Sequence, residues 1–431
     1  MVATRTRPAS PTTTPARLRA LMVGLLLVSL AWGALTTWTV LQHSSAASNV
    51  VTTSEPLSLS AQRMYQSLSD ADVTATTAFL AGPNVPLAAR QRYAADIAQA
   101  AADLAGLMDA GSASPQLRVS LAAVSTGLPV YTQDVAQAQT EYSLGYLLTG
   151  GSFMQVASEE MHLTLLPAAR AIYAQENASL TAASAQASGL PLVAVVILAA
   201  VGIGVLLYRV QKWLTQRTHR VVNYGLMVAS VLLAAATLWL AVAYVVARAD
   251  LEHGVGNGST PAETLAQAAI DTQQVRGDEL LNLISRSGDT TFVADSHAVA
   301  AKLGPGSGTL LTDAVSSSPP GAGERWATAA AHDAQAWYLV DSQAYRLDSA
   351  ARYAAETRLV IGTGTGSSSA GFARVEDDLS RAIAADQVVF HTSATAGSGA
   401  FTGLAVGIIV AALLMAVGCV WGLALRMAEY R

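Results

Sequence analysis

The feature that most constrains this chain lies at its middle: an apolar run over residues 190–208, a short basic loop over 209–220, and a second apolar run over 221–246. A helix needs roughly 20 apolar residues to cross hydrocarbon, and neither run carries a charged side chain inside it. The pair reads as a transmembrane hairpin. Its loop holds Arg209, Lys212, Arg217 and Arg220 and no acid, with Trp213 and Tyr224 where interfacial aromatics belong. Short basic loops stay in the cytoplasm, so the far ends of both runs face outward.

Two further apolar blocks, 18–41 and 401–425, explain why a chain of 431 residues is 52% hydrophobic and only 13% charged. The expected layout is a multi-pass protein of the cell membrane, in contact with lipid and with both termini cytoplasmic. In order it runs tail 1–17, span 18–42, extracytoplasmic segment 43–189, span 190–208, basic loop 209–220, span 221–247, extracytoplasmic segment 248–400, span 401–425 and tail 426–431. Ten of the 25 basic residues fall inside with a single acid, Glu429, leaving fifteen bases and twenty-nine acids outside. That asymmetry is what membrane insertion selects. The first block reads as an uncleaved anchor, because its apolar core exceeds the roughly 7–15 residues of a signal peptide; Ala46 and Ala47 mark the alternative cleavage point. The lone cysteine, Cys419, sits in the last block, so the outer segments hold together by packing alone.

Both outer segments read as helical. Met64, Leu68, Ala71, Ala75 and Phe79 step by three and four residues, as do Leu117, Leu121, Val124, Leu128, Tyr131, Val135, Ala138 and Tyr142. A chain that leaves and re-enters the membrane through one face needs an even number of antiparallel helices, and four of roughly 30 residues fill each segment. The fold class expected is therefore an all-α membrane protein: four transmembrane helices with two extracytoplasmic antiparallel four-helix bundles. Breaks are expected at 82–86, 111–115 and 150–151, and kinks at Pro129 and Pro167. In the second segment one seam runs Trp326, Ala330, Asp333, Trp337, Val340, Ala344 and Leu347, and residues 304–323 and 362–371 read as Gly/Ser-rich loops.

No nucleophile, base and orienter stand together, and no histidines have metal-ligand spacing, so neither catalysis, cofactor nor metal is expected. His162, His253, His297, His332 and His391 read as surface or bundle-edge residues. The spans lack the ionisable residues that mark transport routes, and a nucleic-acid partner is not expected. The cytoplasmic pieces are too short to fold unaided, so a separate protein must read any signal inside, with Arg209, Lys212, Arg217 and Arg220 as its contacts. In the outer segments, Asp70 and Asp72 flank the seam at Ala71; a solvated bundle edge is the ordinary reading and partner binding the alternative. Asp333 falls on a seam, where a carboxylate must be paired, neutral or at an opening. Asp333, Trp337 and Arg276 are the candidates for a polar cavity, with Arg276 or Arg286 as counter-charge, against the alternative of a structural ion pair.

Residues 67–82 (SLSDADVTATTAFLAG), 127–139 (GLPVYTQDVAQAQ), 276–289 (RGDELLNLISRSGD) and the closing Glu429-Tyr-Arg resemble actinobacterial four-span membrane proteins of the GlnX type, with tandem outer domains of the chemoreceptor four-helix kind. The resemblance implies a nutrient sensor that receives an extracytoplasmic amino-acid-binding lipoprotein and passes its state to the cytoplasmic protein kinase G. A non-enzymatic signal relay is the expectation, homodimeric assembly is left open, and an envelope scaffold or transporter accessory subunit is the alternative.

Overall fold

The computed structural model describes residues 14–82, 85–110, 114–189, 191–218, 223–285, 291–304 and 308–428. Among these, every regular element is helical. The chain divides into two compact units: one of Met1–Ser48, Ala185–Asp250 and Thr395–Arg431, the other of Asn49–Ser184 and Leu251–Ala394.

The first unit is built from α1 (Thr14–Asn49), α7 (Pro191–Thr218), α8 (Tyr224–Gly254) and α15 (Leu404–Ala428). Leu25, Trp32, Val196, Leu207, Leu226, Leu240, Ile408 and Met415 pack between them. Leu27, Leu198, Leu238, Val406 and Val417 are as apolar but point outward and exposed. Helices apolar on both faces suit lipid, and among the described residues four are long and apolar enough to span a membrane. Small residues set the closest approach. A Cβ on Gly225 of α8 would collide with the backbone of Gly418 and Gly422 on α15, while Asn223 Nδ2 donates to the Gly422 carbonyl at 3.0 Å.

The second unit holds α2 (Glu55–Ala81), α3 (Leu87–Asp109), α4 (Pro115–Ser143), α5 (Leu147–Glu160) and α6 (Leu166–Ala187), then α9 (Thr260–Ser285), α10 (Thr291–Leu303), α11 (Leu310–Ser317), α12 (Ala322–Ser349), α13 (Tyr353–Ile361) and α14 (Ser368–Gly399). The stretches expected as successive bundles share a single core: Met64, Leu68, Val124, Tyr131, Met154 and Ile172 belong to the same cluster as Leu265, Val275, Trp337, Val375 and Leu379. α2 packs against both α3 and α9.

Among the described residues, three π-helical turns interrupt the long helices: Val50–Ser54, Met161–Leu165 and Val255–Ser259. Each is followed two residues after its end by a proline, Pro56, Pro167 or Pro261. Proline has no amide to bond four residues back and its ring crowds that carbonyl; a widened turn relieves both. The kink expected at Pro167 takes this form. Two of the turns directly follow α1 and α8, so the halves repeat one plan of apolar helix, wide turn, proline and bundle helix.

Several expected boundaries move. Gly150 and Gly151 do not break a helix: the turn is at 144–146, and Gly150 lies within α5, where a Cβ would sit 2.9 Å from the Ala138 carbonyl of α4. The loop expected over 304–323 contains α11, whose Leu311 and Ala314 are buried. The breaks near 82–86 and 111–115 fall between α2, α3 and α4 as expected.

Candidate functional site

Among the described residues, three of the polar groups inside the bundle unit bear on function, and the first is on α2. Asp72, 2% exposed, accepts from the Tyr131 hydroxyl of α4 at 3.3 Å, from Ser158 Oγ of α5 at 2.8 Å and from His162 Nε2 at 3.2 Å. Three donors answer one buried carboxylate. His162 in turn lies against α9, since a Cβ on Gly277 would collide with its imidazole. Burial alone would lower the imidazole pKa, but the hydrogen bond and charge of Asp72 outweigh it and hold His162 above its ordinary value. Asp72 is thus no solvated edge, and His162 no surface residue.

The second group gathers on Arg276 of α9, 1% exposed. Its Nη1 donates to Glu279 and, at 3.2 Å, to Ser368 Oγ; its Nη2 donates to Ser369 Oγ at 2.7 Å. Trp337 Nε1 donates to the same Ser368 Oγ at 2.8 Å, and Phe372 stands 5.8 Å from the guanidinium. Burial and the Glu279 charge push the neighbouring Asp341 up to about 7 against the pull of Arg276. Arg276 and Trp337 therefore meet, but Asp333 does not join them. The buried row of α12 runs Ala327, Ala330, Ala334, Trp337 and Ala344; Ala330, Trp337 and Ala344 lie on the expected seam, but Ala327 and Ala334 are buried where Trp326 and Asp333 were expected. Asp333 turns outward, 22% exposed, and binds Arg374 Nε at 3.1 Å and His332 Nδ1 at 3.0 Å. Arg286 lies outside the described residues.

The third group lines a cavity of about 360 Å³ where α2, α3, α9 and α14 converge. Asp70, Arg92, Thr272, Gln273, Phe372 and Glu376 form its walls. Arg92 stands 4.0 Å from Asp70 and 3.9 Å from Glu376, and Gln273 Nε2 donates to Asp70 at 3.4 Å. Burial and the adjacent Glu376 carboxylate push Asp70 up to about 8, with Arg92 and Gln273 opposing. Asp96, on the same side of α3, rises to about 6 through burial and the charge of Asp70.

Of the residues singled out from sequence, Asp70 lines the cavity, Asp72 anchors the buried cluster, and Arg276 with Trp337 forms the second group. Arg209 and Lys212 are exposed on α7; the Arg217 side chain and all of Arg220 lie outside the described residues. Sequence reasoning missed Arg92, Glu279, Ser368 and Glu376 as site residues, because each is an ordinary polar residue on its own helix. Gln273 did carry a signal: Ile270, Gln273, Gly277, Leu280 and Ile284 step by three and four residues, which puts a polar residue on an apolar row of α9. Among the described residues no group of His, Cys, Asp and Glu has the geometry to hold a metal ion.

No curated protein and no solved structure matches the chain. Residues 46–185 match the family model described as actinobacterial sensor domain, a stretch that includes Asp70, Asp72, Arg92, Tyr131 and His162. That match to a sensor domain, in a chain whose regular elements among the described residues are helices, four of them apolar and long enough to span a membrane, indicates a sensor or signalling role.

Proposed function

We propose that this chain is a non-enzymatic transmembrane sensor of extracytoplasmic amino-acid availability. In this reading both termini and the basic stretch over 209–220, which begins on α7, are cytoplasmic, an amino-acid-binding lipoprotein docks on the bundle unit, and a cytoplasmic kinase, protein kinase G by the resemblance, reads the result at Arg209, Lys212, Arg217 and Arg220. The observation that carries it is the continuous helical run from Arg19 to Ala81, which leads from an apolar span through the wide turn at Val50–Ser54 into the stretch that matches a sensor domain. A rotation or shift imposed on α2 then has a covalent route to α1. Docking is supported by the turn between α4 and α5, where Leu144, Tyr146, Leu147 and Leu148 are exposed together, Leu148 at 90%.

The test is photo-crosslinking in cells from a reactive side chain at Lys212, with and without external glutamine and glutamate. The expected result is a crosslink to a cytoplasmic protein whose yield changes with the amino acids and stops responding in Leu148→Asp. A crosslink indifferent to amino acids would favour an envelope scaffold; labelling of position 212 from outside the cell would end the reading.

A further inference from the structure

The cavity between α2, α3, α9 and α14 has more acceptors than its own donors satisfy. Arg92 is the cation that faces Asp70 and Glu376, at 4.0 and 3.9 Å, distances too long for direct hydrogen bonds, and the two carboxyls bond to each other through the proton that Asp70 retains. Gln273, 4% exposed, turns its amide nitrogen to Asp70 and leaves Oε1 with no hydrogen-bond partner in the protein. Buried acceptors left this way seek a donor. Phe372 supplies an apolar wall beside them. The complement of two carboxylates, an unanswered carbonyl and an aromatic wall is a compact cation with several N–H groups.

We propose that this cavity binds a small molecule bearing a primary ammonium group, held by Asp70, Glu376 and Gln273 Oε1 with its carbon skeleton against Phe372. The proposal deepens the sensor reading and rests on it only for the step from binding to signal; the binding itself stands on the cavity. The groups facing Asp70 are Arg92 and Asp96 on α3, Glu376 and Asp377 on α14, and the neutral Thr272 and Gln273 on α9. With Asp70 raised to about 8, the empty cavity holds a proton near neutrality. An arriving ammonium takes its place, so binding releases a proton and tightens as the pH rises from about 6 to about 8.

Isothermal titration of the purified full chain in detergent tests this, with n-butylamine and 1,4-diaminobutane as probes and n-butanol and butyrate as uncharged and anionic controls. The amines should give saturable heats that vary with the ionisation enthalpy of the buffer, and the controls none. Asp70→Asn and Glu376→Gln should each weaken binding at least tenfold, while Asp109→Asn, on the exposed end of α3, should stay within twofold; circular dichroism checks that the variants keep their helix content. No saturable heat from either amine, or equal affinity in well-folded Asp70→Asn and Glu376→Gln, overturns the site. Crosslinking at Lys212 separates the two readings. A response there without amine binding removes the site and leaves the relay, and amine binding without any response at Lys212 removes the relay and leaves the site.

Discussion

At Asp72 a carboxylate that water cannot reach is held by a tyrosine, a serine and a histidine from three other segments. Asp72→Ala strands those donors in the core, and chemical denaturation in detergent should show a loss of about 3 kcal/mol. Tyr131→Phe removes one donor and leaves two, so about 1 kcal/mol is expected from the same measurement. Arg276 makes a sharper case. Arg276→Ala leaves Glu279 charged, buried and without its cation, at a cost of about 3–5 kcal/mol, and adding Glu279→Gln should recover part of it in a double-mutant cycle. These two sites were half legible in the sequence. Asp72 stands four residues after Leu68, on the buried side of α2, yet an acid on a helix flank defaults to solvent unless its partners are known. Here the partners stand 59, 86 and 90 residues further along. Asp333 failed for the opposite reason: the buried row shares Ala330, Trp337 and Ala344 with the row drawn through Trp326 but takes Ala334 in place of Asp333, and small residues leave little hydrophobic contrast to separate the two.

Among the helices, the long seams were plain from spacing alone. Met64 to Phe79 and Leu117 to Ala138 are buried as their rhythm requires. What spacing could not decide was the meaning of glycine, since the same residue ends one helix and lets another pack closely. Gly82 closes α2 with a positive φ of 116°, whereas Gly150 sits mid-helix against α4. Gly225 is the clearest close approach, with α15 backbone where a side chain would begin. Gly225→Val must push α8 from α15, and thermal denaturation of the detergent-solubilised chain should show a loss of about 2 kcal/mol.

For the molecule as a whole, the shared core means that neither half of the bundle unit is complete alone. Residues 49–184 expressed separately would expose the face of α2 that α9 covers, and should lack a cooperative thermal transition. Acid groups in this unit move together: Asp70 to about 8, Asp341 to about 7, Asp96 and Asp386 to about 6, all above an ordinary 3.8. Burial leads in every case. The folded chain therefore holds more protons than the unfolded one between about pH 4 and pH 8, and its stability is greatest at the acid end and falls as the pH rises through those values. The melting temperature should climb as the pH drops from 8 to 5, with the upper part of that slope flattened in Asp70→Asn; a melting temperature that instead rises with pH would contradict it. The wide turns at Val50–Ser54 and Val255–Ser259 carry a last consequence. Such a turn stores one surplus peptide unit, and drawing that unit into the regular winding swivels everything on one side by about 100° while the chain stays helical. A joint of this kind favours torsion over a piston stroke, and a proline fixes its address in both halves of the chain.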